Sequence, residues 1–415
     1  MIRWSPEQQA IKDALRDFVR KSVEPQRRAL EAGDLPPYDI LRELFRTFGL
    51  DEIAEERFRR RMEQGGDRPA GPRPRNADQV AMVLLPIIEL SRCSPGMATA
   101  MGVSANLTPG AILNAGTPEQ KARWALDLMT MRKVGAWALT EPGSGSDAFG
   151  GMRSSARREG DQFVLNGSKT FITNGPLADT IVFICRLDNG APEARDRPIV
   201  TFVLERGTPG LEQSKPLQKM GMHSSPTGEL FLQDVRVPVE QFLGGPAALE
   251  RALKPRSQGK KDGGGSRQAK GAFASERASI AATALGIIER CRELSVDYAR
   301  TRVQFGQPIG QFQLIQDKLA RMEVARFNVS NLVFHYVESL ADGRGVTFAE
   351  ASAMKLYSAR AAVEVAMEAV QLHGGSGYMS EYPLEQLARD AKVLQIYAGT
   401  DEMQITGIAK ALLAD

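Results

Sequence analysis

Apolar residues recur at helical spacing through the first third of the chain. Ile11, Leu15, Phe18 and Val19 fall on one stripe, and Ile40, Leu41, Leu44, Phe45 and Phe48 on another. Ser5-Pro6-Glu7 supplies an N-cap, a proline at the first helical position and an acid in the first turn. Thr117-Pro118-Glu119-Gln120 repeats those signals, and further helices are predicted over Val80–Leu90 and around Ala111–Leu113. Between them, Asp51 to Asp78 is charged and carries a Gly/Pro/Arg run from Gly65 to Arg75. It offers little apolar surface to bury and is expected to be a mobile surface insertion.

From residue 134 the period changes. Val134–Leu139, Gln162–Ile172, Ile181–Cys185, Ile199–Leu204 and Glu229–Val237 are short β-branched or aromatic runs separated by turn residues. Asn166-Gly167 reads as a hairpin turn, and the region as a small barrel or sandwich. Lys254–Gly271 holds four Lys, two Arg and five Gly with one acid, and reads as a flexible linker. From Phe273 onward, helical spacing returns at Ile280, Ala284, Ile287, Cys291 and Leu294. It continues at Leu314, Leu319, Met322 and Val329, then at Met354, Ala362, Val365 and Ala369, with shorter helices over Leu387–Ile396 and Met403–Leu412.

Composition narrows the class. A chain of 415 residues implies two or three domains, and 42% hydrophobic with 25% charged residues is ordinary for a globular protein. A net charge of +3, with both signs interspersed, gives no reason to expect nucleic acid. Cys93, Cys185 and Cys291 lie far apart and read as reduced, buried thiols. His223, His335 and His373 lack metal-ligand spacing, so no metal is expected. No apolar run reaches membrane-spanning length and the first helix follows Met1 without an apolar leader, so a cytoplasmic enzyme with no membrane partner is expected.

Two segments carry candidate chemistry. Trp137 to Asp147 ends a predicted strand in a Gly/Ser-rich loop, which lets backbone N–H groups approach a polar, planar ligand. Asn166 to Gly175 places Phe171 and Thr173 two residues apart, on one face of a strand, as an aromatic wall with a donor for a flavin edge. Phe171 could equally be a core side chain.

The order and spacing of these segments resemble the acyl-CoA dehydrogenase family, whose motifs are T-E-P-x-A/G-G-S-D and N-G-x-K-x-[WF]-I-T-N. The resemblance extends through Lys219-Met220-Gly221, Asp234–Pro238, Arg302-Val303-Gln304-Phe305-Gly306, Gln371–Tyr378 and Tyr397–Glu402. It implies an α+β fold: an N-terminal α-helical domain over 1–133, a middle β-barrel domain over 134–245, a flexible linker over 246–272, and a C-terminal four-helix-type bundle over 273–415. It implies FAD as cofactor. By position, Thr140 and Thr173 would bond the isoalloxazine ring, with Trp137, Leu139 and Phe171 lining it. Arg302 would face the pyrophosphate and Phe305 the adenine end, with Gln313, Gln371, Gly374, Gly375, Thr400 and Glu402 near the same cofactor. In the family several of these contacts come from a neighbouring subunit, which implies a dimer or tetramer. The resemblance also implies an acyl-CoA substrate, with Ser146, Tyr397, Ala398 and Gly399 near it, and an electron-transferring flavoprotein as acceptor. Arg277 would lie by the phosphate side of the substrate or by the catalytic loop. Asp401 would join Glu402 near the adenosine or serve as a helix-start acid. His373 would touch cofactor or pack a turn, and packing is preferred.

The reaction needs a base, because a thioester α-hydrogen is a very weak acid. Many family members use a glutamate directly before Gly-Thr, where this chain has Ala398. Glu276-Arg277 resembles the alternative placement in isovaleryl-CoA and long-chain members, so Glu276 is the expected base. A plain reading competes with it: Ser275 as N-cap and Glu276 as a first-turn acid favoured by the helix dipole. The thioester carbonyl would be held by the backbone N–H at 398, which alanine retains. Departures from the family pattern are the 51–78 segment, where P-x-x-Y-G-G is usual, and Pro109-Gly110, expected to interrupt a pocket-floor helix. Rival readings are a monooxygenase or oxidase of the same fold, and a non-catalytic or carrier-protein-acting paralogue.

Overall fold

The computed structural model describes residues 3–63, 76–254 and 264–414. Eight helices come first: α1 (Pro6–Phe18), α2 (Arg27–Ala32), α3 (Tyr38–Thr47), α4 (Leu50–Glu63), α5 (Ala77–Ser91), α6 (Pro95–Gly102), α7 (Thr108–Ala115) and α8 (Pro118–Met129). The expected caps form, as Ser5 with Gln8 and Thr117 with Gln120 each close a capping box.

Two expectations in this region are corrected. The charged stretch after Asp51 is not an insertion loop up to Glu63 but helix α4. Its Glu56 pairs with Arg59 and Arg60, Ala54 is buried, Phe58 packs under α8, and Arg61 donates to the Leu113 carbonyl. Residues 64–75 lie outside the described residues. Pro109 does not break the pocket-floor helix either. A π-helical turn over Val103–Leu107 joins α6 to α7, and Pro109 falls in the first turn of α7, where its missing N–H costs little.

The middle of the chain forms β1 (Gly135–Ala138), β2 (Ser155–Glu159), β3 (Gln162–Thr173), β4 (Thr180–Leu187), β5 (Ile199–Glu205), β6 (Leu211–Gln213) and β7 (Thr227–Pro238). They make one curled sheet in the order β1-β4-β2-β3-β7-β6, with β5 on the other edge of β4. β4 is buried along its whole length because both faces are covered. Ile181, Phe183 and Cys185 enter the core under the sheet, and Val182 and Ile184 pack towards α8 and Trp124. The Asn166-Gly167 hairpin is a further correction, for both residues lie inside β3 at a bulge. Asn166 exchanges two hydrogen bonds with Asp234, each 2.9 Å, and Gly167 (φ +146°) lies so close to Ser154 that a Cβ would fall 2.3 Å from its Oγ. The turn itself is at Gly160-Asp161, between β2 and β3.

Helices resume with α9 (Gly245–Leu253) and α10 (Gly264–Thr301), followed by the short β8 (Val303–Gln304) and β9 (Gln307–Pro308). Then come α11 (Gln313–Ala341), α12 (Phe348–His373), α13 (Gly375–Tyr378), α14 (Leu384–Val393) and α15 (Asp401–Leu412). The 246–272 linker is corrected at both ends. Ala247, Ala248 and Leu249 follow Pro246 and form a helix whose apolar side packs on the sheet core, and α10 starts nine residues before Phe273. Residues 255–263 of that segment lie outside the described residues. One core joins the N-terminal helices to α10, α11, α12 and α14. α10 crosses α5 at Gly286, where a Cβ would fall 2.2 Å from the Ile88 carbonyl oxygen.

Candidate active site

The first two motifs meet through the β3 backbone. Thr170 N–H donates to Thr140 O (2.9 Å), and the Lys169 ammonium, wholly buried, donates to Leu139 O (3.0 Å) and Glu141 Oε1 (2.8 Å). Glu141 also accepts from the N–H groups of Arg153 (2.6 Å) and Ser154 (3.0 Å). Burial opposes its charge, but Lys169 and these donors together hold its carboxyl below the ordinary value. Asn174, left-handed at φ +64°, ties the end of β3 to three elements: it accepts from Tyr38 Oη (3.0 Å) and donates to Ala100 O (3.0 Å) and Gly135 O (2.9 Å).

On this frame Phe171 is left-handed (φ +56°) and 68% exposed, so the core alternative for it falls. Trp137, Thr140 and Thr173 are half-buried, Leu139 is buried, and Ser146 is exposed on the Gly/Ser turn.

Glu276 lies on α10 about three turns after the helix begins, so Ser275 is no N-cap and the first-turn reading of Glu276 is overturned. The residue is half-buried, and its Oε2 is fully buried with no hydrogen-bond partner among the described residues. Burial raises its pKa to about 7, although the Arg277 charge pulls the other way. Arg277 is buried and donates from Nε to Ala398 O (3.2 Å) and from Nη1 to Ser352 Oγ (3.2 Å), with its guanidinium 4.2 Å from the centre of the Phe348 ring. It therefore stands at the 398 turn. The half-buried Tyr397 feels the charge of Glu276 and lies beside Thr99, and burial is the main cause of its raised pKa.

Asp401 is buried at the start of α15 and paired with Lys355 (3.5 Å) and Arg360 (3.0 Å), whereas Glu402 is exposed and Thr400 caps α15. His373 is a packing residue, buried, bonded to Ala369 O (2.9 Å) and stacked 4.2 Å from Tyr298.

The remaining candidates gather at the far end of α10. Arg302, Gln313, Gln371, Gly374 and Gly375 are exposed, and Phe305, left-handed at φ +51°, is 93% exposed. α10 runs 25 residues from Glu276 to Thr301, about 38 Å. The structure thus places Glu276 with the 398 turn and Arg302 with Phe305 at positions about 38 Å apart along α10.

The N-terminal, middle and C-terminal domains of acyl-CoA dehydrogenases match residues 75–132, 136–235 and 263–413 in this order. An acyl-CoA dehydrogenase of Bacillus subtilis (strain 168) is 37% identical over 98% of both chains. The chain belongs to the acyl-CoA dehydrogenase family. Mitochondrial isovaleryl-CoA dehydrogenase of Oryza sativa subsp. japonica is 31% identical over 98% of this chain and 91% of its own. Butyryl-CoA dehydrogenase from Megasphaera elsdenii superposes over 100% of both chains with a TM-score of 0.84 and 33% identity. As an acyl-CoA dehydrogenase family member, the protein is a flavin-dependent oxidoreductase with FAD as cofactor. The residues fit that group: two exposed aromatic faces on left-handed backbone, half-buried hydroxyls at Thr140 and Thr173, and an exposed guanidinium for a pyrophosphate.

Lys169, Glu141 and Asn174 stand in the motifs as written, but a sequence does not reveal that their side chains join motif to motif. Lys355 and Gln404, which meet the 398 turn, lie in plain helical sequence with no local signal.

Proposed function

We propose that the protein oxidises the Cα–Cβ bond of an acyl-CoA thioester to the trans-2-enoyl-CoA, with Glu276 taking the α-proton. The observation that carries this reading is the Glu276 carboxylate: one oxygen buried with no partner among the described residues, a pKa near 7, and a place beside Tyr397 and a turn that lacks an acid at 398. A base poised near neutral pH can accept a proton there and return it later. Bound FAD supplies the acceptor for the β-hydrogen as hydride. Thr140, Thr173, Trp137, Leu139 and Phe171 orient the ring, the Ala398 backbone N–H receives the thioester oxygen, and Tyr397 and Ser146 flank the substrate.

The cofactor is shared between chains in this reading. A ring held beside Glu276 leaves the Arg302 and Phe305 of the same chain about 38 Å away along α10, beyond the reach of one dinucleotide. A second copy must supply Arg302, Phe305, Gln313, Gln371, Gly374 and Gly375, with Thr400 and Glu402 beside the ring-proximal part. A groove of about 600 Å³ between α11 and α12, lined by Met322, Val324, Leu356 and Tyr357 together with Arg321 and Glu364, supports the presence of such a copy. Electrons then leave to an electron-transferring flavoprotein.

The test is anaerobic bleaching of the purified yellow protein with a panel of straight and branched acyl-CoA thioesters. At least one should reduce the flavin. Bleaching by none of them, with FAD bound, overturns the reading.

A further inference from the structure

The Ala398-Gly399 turn is left-handed at both residues, φ +52° and +90°. An alanine there costs about 1 kcal/mol, so something must hold it. Three donors do. Arg277 Nε and Gln404 Nε2 each lie 3.2 Å from Ala398 O, while Lys355 Nζ lies 2.9 Å and Gln404 Nε2 2.6 Å from Gly399 O. Lys355 and Gln404 are wholly buried, one on α12 and the other on α15, and Gly399 fits so tightly that a Cβ would fall 2.9 Å from Gln404 Nε2.

In a trans peptide the carbonyl and the N–H that follows it point in opposite directions. Drawing the carbonyls of Ala398 and Gly399 inward therefore turns the N–H groups of Gly399 and Thr400 the other way. Neither N–H, nor that of Ala398, is bonded within the described residues. A buried ammonium on the Gly399 carbonyl also polarises that peptide and strengthens its N–H as a donor. Asp401 and Arg360 complete the surroundings of Lys355, fixing the ammonium in place.

We propose that Lys355 and Gln404 are positioning residues for the reaction: they hold the 398–400 turn so that the N–H groups of Gly399 and Thr400 stand with that of Ala398 toward the thioester oxygen on which charge develops. The proposal rests on the acyl-CoA reading above. Such donors act in the transition state more than in the bound substrate, so their loss shows chiefly in turnover.

Lys355→Met removes the charge at similar volume, and Gln404→Leu removes both amide donors. Each variant should keep FAD, oligomeric state and a cooperative melt. Each should slow flavin reduction by roughly a hundredfold or more, with a far smaller change in KM. The second readout is the infrared carbonyl stretch of the bound enoyl-CoA product, labelled with carbon-13 at the thioester. In the parent it should move to lower wavenumber on binding, and in both variants that displacement should shrink, with Lys355→Arg recovering part of it. An undiminished displacement with parental reduction rates in both variants overturns the proposal. Should Lys355→Met not fold, Gln404→Leu decides alone. A parent that no acyl-CoA bleaches marks failure of the dehydrogenase reading instead, and the proposal falls with it.

Discussion

Around Glu276, α10 is packed against its own chain: Arg277 reaches Ser352, Phe348 and the 398 turn, and one Glu276 carboxyl oxygen is buried with no partner among the described residues. At its Arg302 end the same helix opens onto a β8–β9 hairpin with Val303 at 52% and Phe305 at 93% exposure, next to Leu314 at 81%. The first end is enclosed by its own chain and the second stands exposed. Burial on one side raises the pKa of the Glu276 carboxyl, and exposure on the other leaves an apolar prong that costs free energy until it is covered.

The sharpest way to break this contrast is Glu276→Gln. Flavin reduction by acyl-CoA should fall about 10²–10⁴-fold while FAD remains bound, as when a positioned base is removed; a parental rate by stopped-flow spectroscopy ends the assignment. Phe305→Asp addresses the other end. It should leave the Glu276 surroundings intact yet shift the protein to smaller species on size-exclusion chromatography with loss of flavin. A mutant of parental size and colour means that this end needs no neighbour.

The pH response separates the ends more finely. With a pKa near 7, Glu276 must be ionised to act, so kcat/KM should fall about tenfold per pH unit on the acid side of 7. Stability moves the opposite way. A carboxyl raised from 4.5 to about 7 on folding contributes stability that is full below pH 4.5 and lost as pH rises through 7. The parent's Tm should therefore drop relative to that of Glu276→Gln between pH 5 and 8, and a constant difference in calorimetry removes the burial argument. The middle of α10 gives the smallest effect. Arg292 pairs with Glu323 on a partly exposed surface, and Arg292→Ala should change stability by no more than about 1 kcal/mol in urea titrations.

Much of this architecture was legible because its signals are local. Ser5 and Thr117 announce their helices with side chains three residues away, and the change of period at residue 134 marks the sheet. Elements were missed where tertiary contacts decide. α4 is charge-rich and weakly amphipathic, and holds through Phe58, Arg61 and its own Glu–Arg pairs. Asn166-Gly167 carries hairpin residues, yet Asp234 on the neighbouring strand captures Asn166 and turns the pair into a bulge. At the site, Glu276 could be singled out from what position 398 lacks. The roles of Lys169, Lys355 and Gln404 could not, because each acts on a carbonyl from 5 to 44 residues away, brought near only by folding.

The unbroken run of α10 from Glu276 to Thr301 has a consequence for how such a chain can vary. Adding or deleting one residue within it would rotate the two ends against each other by about 100° and shift them by about 1.5 Å. The Gly286 contact with the Ile88 backbone leaves no slack in which to absorb that change. Substitutions can accumulate along this helix, but insertions and deletions cannot. Changes of length belong in the segments outside it, and there the chain can grow or shrink without moving either end of the helix.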